Sequence, residues 1–186
     1  LTCFTNEEER EVGLDEVNNL PEGANTPREY PQAEYLRYKL SLNYSRPLEV
    51  GSRRVQWTSN WVGQHGSVPL YGSQQLTVGG PASVRGSHDV SISGDRGYFW
   101  QNTLMLPAQY EGHGLNVDAQ FWLGYDFGRV QAVREGAYEG GMEGAAIGAK
   151  FSLAPVSLTL SRAMPLSISG RDEGNAFTTA VVTVDF

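Results

Sequence analysis

The sequence predicts an all-β protein, an antiparallel transmembrane β-barrel, and three observations lead there. Apolar and polar residues alternate strictly over long segments. Successive side chains of a strand point to opposite sides, so each such segment reads as a strand with one apolar and one polar face. The connections between segments alternate between short and long, as the periplasmic turns and outer loops of bacterial barrels do. Trp57, Trp61, Trp100, Trp122 and most tyrosines fall inside these segments, often near their ends, where the aromatic girdles of a barrel would lie.

Residues 1–33 are acidic, rich in Asn, Pro and Glu, and lack periodicity. They read as a solvated extracellular loop, with the barrel segment occupying residues 34–186. The first strand lies in YLRYKLSLNYS, where Leu36, Tyr38, Leu40, Leu42 and Tyr44 oppose Arg37, Lys39, Ser41, Asn43 and Ser45. RPLEVG after it reads as a turn. RRVQWTSNWVGQ repeats the device, with Val55, Trp57 and Trp61 on one face. Residues 65–97 are rich in Gly and Ser and alternate little; a loop of this length is usually functional or disordered.

YFWQNTLML gives a third strand with a weaker pattern, and YEGHG a tight turn. LNVDAQFWLGYDFGRV is the clearest strand. Leu115, Val117, Ala119, Phe121, Leu123, Tyr125 and Phe127 share its apolar face, with Trp122, Gly124, Asp126 and Gly128 among the residues opposite. QAVREGAYEGGMEG reads as a loop, AAIGAKFSL and VSLTLSRAM as strands joined by Ala154-Pro155, SISGRDEGN as a loop and FTTAVVTVDF as the last strand. These strands are long enough for a membrane barrel, whose tilted strands need about 9–11 residues each.

Seven strand candidates make an odd count. An open sheet in lipid would leave backbone groups unsatisfied at its edges, so the closed barrel is expected to include strands before Leu1. The chain opens without a signal peptide, and an outer-membrane protein must first cross the inner membrane; a processed or truncated piece is expected. With the long loops outside, the last strand ends on the periplasmic side at Phe186.

Other function classes find little support. The 14 Lys and Arg against 21 Asp and Glu, a net charge of -7, argue against a nucleic-acid partner, which asks for a basic face. Cys3 is the sole cysteine, so no intrachain disulfide forms, and it reads as a free thiol. His65, His88 and His113 are scattered without metal-ligand spacing, and no cofactor or metal is expected. A hydrolase would need Ser, His and an acid converging at one rim, whereas His113 lies in a predicted periplasmic turn and His88 in an opposite loop. No apolar run of about 18 residues is present for a transmembrane helix.

The stretch LTVGGPASVRGSHDVSISGDRGYFWQN resembles the GG-x-x-SVRG(Y/F) … SGD-x-G motif of two-partner-secretion transporters, the hemolysin and hemagglutinin exporters of the Omp85 superfamily (the ShlB/FhaC/HecB kind). FWLGYDFGRV, with Gly124, Asp126 and Gly128, resembles that superfamily's F-x-D-x-G-x-V strand. The terminal VTVDF resembles the signal by which the barrel assembly machinery recognises its clients, which assigns that role to Phe186. The likeness runs from about Tyr35 to Phe186. Two positions depart: Ser87 stands where an aromatic follows Val84-Arg85-Gly86, and Thr103, beside Asn102, stands where a Glu is expected.

The resemblance implies a barrel of about sixteen strands, an even number as bacterial barrels require, with periplasmic POTRA domains and a plug helix upstream. It implies export of a large partner exoprotein without nucleotide hydrolysis, in contact with outer-membrane lipid. Assembly or insertion of outer-membrane proteins, the work of other superfamily members, is the alternative. It also implies that the motif loop folds into the lumen and sets Arg85 against the wall. The residues alone leave two states open: Asp126 hydrated in a wet lumen with Arg85 exposed, or the two paired through the planar fork of the guanidinium. The resemblance selects the pair. Gly79, Gly80, Gly86, Gly94 and Gly97 are read as sources of backbone freedom in the loop, and Asp95 and Arg96 as shaping its return. Arg37, Lys39, Arg54, Lys150 and Arg162 are expected on the lumenal face or its rims.

Overall fold

Seven long strands carry the fold in the computed structural model, which describes residues 2–3, 7–9, 35–87, 89–112, 115–133, 139–170 and 174–185. In chain order the strands are β1 Thr2–Cys3, β2 Glu7–Glu9, β3 Arg37–Val50, β4 Arg53–Gly66, β5 Leu76–Val78, β6 Ile92–Gly94, β7 Arg96–Gly112, β8 Leu115–Gln131, β9 Glu139–Leu153, β10 Val156–Ile168 and β11 Phe177–Val184. The main sheet runs β1-β3-β4-β7-β8-β9-β10-β11, with β2 also beside β3, and β5 and β6 form a separate pair. Every pairing is antiparallel. The sheet is a meander of barrel type and stays open in this chain.

The strands overrun several expected turns. RPLEVG, read as a turn, is strand up to Val50: Arg46 pairs with Trp57 and Val50 with Arg53, and of these residues only Gly51 belongs to the turn. In YEGHG, Tyr110 pairs with Val117 and Gly112 with Leu115. The second half of the expected loop 131–144 belongs to β9, whose Glu139 pairs with Gln131, and β10 continues to Ile168. The physical reason is that a ladder needs only backbone partners; polar residues extend it past the apolar band to a two-residue hairpin. The segment read as a loop at 1–33 contains β1 and β2, which pair with β3 at Thr2↔Asn43 and Glu7↔Lys39. Phe186, His88 and His113 lie outside the described residues.

Register sorts the side chains into two faces. One row of paired residues crosses the sheet as Trp57, Leu104, Leu123, Ile147 and Arg162. Leu123 and Ile147 are 54% and 55% exposed, and this outer face holds the exposed apolar side chains. Phe127 gathers an aromatic group at the long-loop end, with Trp100, Tyr125 and Tyr98 at 5.6, 6.2 and 6.3 Å between ring centroids. A second row, Val62, Phe99, Gly128, Met142 and Ile168, lies on the inner face. It is apolar as well, and buried.

One residue stands on the face opposite to expectation: Arg162 pairs with Ile147 on the outer face, because it shares the parity of Leu158 and Leu160. Trp122 keeps the face that the alternation gives it, with Gly124 and Asp126, and so does not join an outer girdle; it covers Gly148, where a Cβ would strike its indole. Arg37, Lys39, Arg54 and Lys150 occupy inner-face register positions, opposite Gly66, Gln64, Glu49 and Gln120.

The inserted loop as candidate functional site

The connection from β4 to β7 folds back over the inner face. It contains a 3-10 turn, Gly72–Gln74, and the hairpin of β5 and β6, paired from Leu76↔Gly94 to Val78↔Ile92. Val78 and Val84 are fully buried and join Val62, Phe99, Val130, Met142 and Ile168 in one cluster. Val78 rests over Gly128, where a Cβ would come 2.8 Å from its Cγ1. Burial of apolar area therefore holds the loop down, and Gly128 contributes the recess.

A tight turn presents Arg85. Gly79 donates its N–H to Ser83 Oγ at 2.8 Å, the Ser83 hydroxyl donates to the Gly79 carbonyl at 3.0 Å, and Gly80 bridges to Val84. Arg85 then meets Asp126, whose side chain is 0% exposed. Nε donates to Oδ2 and Nη2 to Oδ1, each at 2.6 Å, and the Arg85 backbone N–H donates to Oδ2 at 2.9 Å. Nη2 also donates to the Asn102 carbonyl at 3.0 Å, and the Asn102 N–H reaches Oδ1 at 3.3 Å. Four N–H donors, three from Arg85 in a bidentate fork plus backbone and one from Asn102, satisfy a carboxylate that burial would otherwise penalise.

The inner-facing positions of β8 divide the task. Asp126 supplies the charge. Gly124 supplies space, since a Cβ there would lie 2.5 Å from Arg85 Cζ. Trp122 supplies a ring 5.5 Å from Cζ, within the range of a cation–π contact. Gly144 on β9 leaves room for the Arg85 carbonyl, which a Cβ would overlap. Gly86 has φ 105, a region open to glycine at little cost, and its missing side chain lets the backbone lie against the Met164 carbonyl.

Gly94 and Gly97 bring the return strand close to β8: a Cβ would stand 2.7 Å from the Gln131 carbonyl at Gly94 and 3.0 Å from Val130 Cα at Gly97. Ser87, in the aromatic's place, turns its hydroxyl to the Val90 carbonyl. Asp95 is buried at the loop's root. Sequence reasoning missed the apolar inner row and the roles of Gly144 and Trp122. The signal was present for four of them: Val62, Phe99, Val130 and Met142 are apolar residues at the polar phase of their strands, all toward the long-loop end, whereas Ile168 reaches the inner face only through the register shift between Pro165 and Ser167.

An outward-apolar antiparallel sheet carrying a folded-in loop tied down by an ion pair is the architecture of an outer-membrane β-barrel. Residues 11–151 match the family of haemolysin secretion/activation proteins ShlB/FhaC/HecB, and the chain belongs to that family. It is 39% identical over 74 residues to the outer membrane transporter CdiB of Dickeya dadantii, covering 40% of this chain and 13% of the relative. It is 29% identical over 140 residues to the outer membrane transporter CdiB of Escherichia coli, covering 73% of this chain and 22% of the relative. The solved CdiB from Escherichia coli superposes with a TM-score of 0.71 at 25% identity, over 83% of this chain and 29% of that one. The chain thus spans a minor part of each relative, and its setting is the outer membrane.

Proposed function

We propose that this chain forms part of an outer-membrane pore that exports a large partner exoprotein by two-partner secretion, with the loop at 65–97 as its movable inner element. The observation that carries the reading is the Arg85–Asp126 pair, which ties the loop to the inner wall by directional bonds to one carboxylate. Such a contact can be broken as a unit, whereas a loop held by apolar packing alone would have no discrete latch. Family membership and the transporter names of the relatives support export over enzymatic chemistry. Cargo folding outside the cell supplies the drive in this reading, with no nucleotide hydrolysis. The terminal Phe186 serves as the recognition signal for the barrel assembly machinery.

The test is secretion by the full-length protein expressed with its cargo. Arg85→Ala is expected to lower cargo in the medium while the barrel remains in the outer membrane at its usual level. Unchanged export would reject the latch. A defect in other outer-membrane proteins, with cargo export intact, would favour the insertion-factor alternative.

A further inference from the structure

Asp95 is 1% exposed and belongs to neither the Arg85 latch nor the apolar cluster. It sits where the returning loop enters β7. Its Oδ1 accepts the Leu70 N–H at 2.8 Å and the Gln75 Nε2 at 3.0 Å, both from the outgoing limb of the same loop. Its Oδ2 accepts the Val133 N–H at 2.8 Å, from the connection that follows β8. Its own carbonyl accepts the Gly66 N–H at 3.0 Å, and the neighbouring Arg96 Nε donates to the Gly66 carbonyl at 2.9 Å. Asp95 therefore joins three pieces of chain: its carbonyl holds the end of β4, and its carboxylate holds the outgoing limb and the next long connection.

We propose that Asp95 is a positioning residue that works as a second latch, at the root of the loop, separate from Arg85 at its tip, and that it couples the inserted loop to the connection after β8. The proposal rests on the export reading for its consequence. When the tip leaves Asp126, the root stays fixed, so the movable part is confined to the hairpin and tip beyond Gln75. A displacement of the connection at Val133 is passed to the loop root through Oδ2. The two oxygens carry different duties, and this makes them separable. An amide at position 95 keeps one acceptor oxygen. It is best spent on the two donors from Leu70 and Gln75, which leaves the amide NH2 facing the Val133 N–H. Asp95→Asn is thus expected to uncouple the two segments while preserving the root of the loop itself.

Backbone hydrogen exchange read by mass spectrometry on the full-length protein tests this, independently of whether it secretes. In Asp95→Asn the peptide holding Val133 is expected to exchange about tenfold faster, as the loss of one hydrogen bond to a charged group implies. Peptides over 66–75 and the middles of β7 and β8 are expected to stay unchanged. In Arg85→Ala the peptide over 80–87 is expected to speed up while the Val133 peptide holds. Should Asp95→Asn assemble poorly, Val133→Pro deletes the donor from the other side and is expected to speed exchange at the neighbouring amides of the same peptide while peptides over 66–75 stay unchanged. An unchanged Val133 peptide in Asp95→Asn would overturn the proposal. So would a uniform rise across β7 and β8, which marks a general structural loss, or Arg85→Ala loosening Val133 as much as the tip.

Discussion

The guanidinium of Arg85 occupies the space in which a side chain at position 124 would stand, 2.5 Å from an ideal Cβ on Gly124. Gly124→Ala therefore acts on the latch without removing either charge. The arginine is pinned by Asp126 and the Asn102 carbonyl, so it cannot yield without losing those bonds. Overpacking of this kind costs about 1–3 kcal/mol. Gly124→Ala is expected to loosen the loop in the wild-type background and to have almost no effect on top of Arg85→Ala. Protease sensitivity of the loop in all four variants measures this. An equal effect in both backgrounds would mean that Gly124 serves the strand and not the arginine.

Arg85 and Asp126 should fail to add for a related reason. Each single alanine variant leaves a group that was satisfied by the other, and removing one partner of a buried pair typically costs about 3–5 kcal/mol. The Arg85 side chain keeps 16% of its exposure, so water discounts the upper end of that range. The double variant is expected to be little worse than either single one, in loop release and in export alike, as residues sharing one interaction behave. Additive losses in both measurements would assign the two residues separate duties.

Packing beneath the loop should matter about as much as the latch. Met142 is 1% exposed and lies in the inner row under the loop's valines. Met142→Ala is expected to cost about 2–5 kcal/mol, read as faster proteolysis of the loop at an unchanged level of assembled barrel. Resistance equal to wild type would show that the pair alone holds the loop in place.

Much of this was legible in the sequence, and the misses share one cause. Period-two alternation located all seven long strands, because the apolar outer face of each tolerates few exceptions. The pairing of Arg85 with Asp126 was within reach only through the motif, since nothing in the residues tells how far a loop folds back. The inner face was read as uniformly polar, and that hid Val62, Phe99 and Met142: their apolar character answers to a loop distant in sequence and not to their own strand. Turn positions were misjudged because RPLEVG and YEGHG carry Pro and Gly, yet their backbones still pair across a hairpin. Asp95 was placed in the loop's return, but its contacts reach Leu70 and Val133, which only the folded chain brings together.

The outer face gives a paired prediction of opposite sign. Leu123 and Arg162 belong to one row of that face, with Ile147 between them. A cation on the lipid side of a barrel costs about 2–4 kcal/mol near the midplane and falls toward zero at the interfaces. Leu123→Arg is therefore expected to destabilise the barrel, by up to that amount if the position is central. Arg162→Leu removes a cation that the fold already carries on the same face and is expected to stabilise it, less than Leu123→Arg harms it, because a long arginine can reach toward the headgroups. Reversible unfolding in lipid vesicles yields both values, and a spin label at position 123 should report lipid and not bulk water. A label at 123 that reads as aqueous would reverse the facing of β8. Loss of stability in Arg162→Leu would mean that this cation has a partner of its own, supplied by lipid headgroups or by a neighbouring strand of the complete barrel.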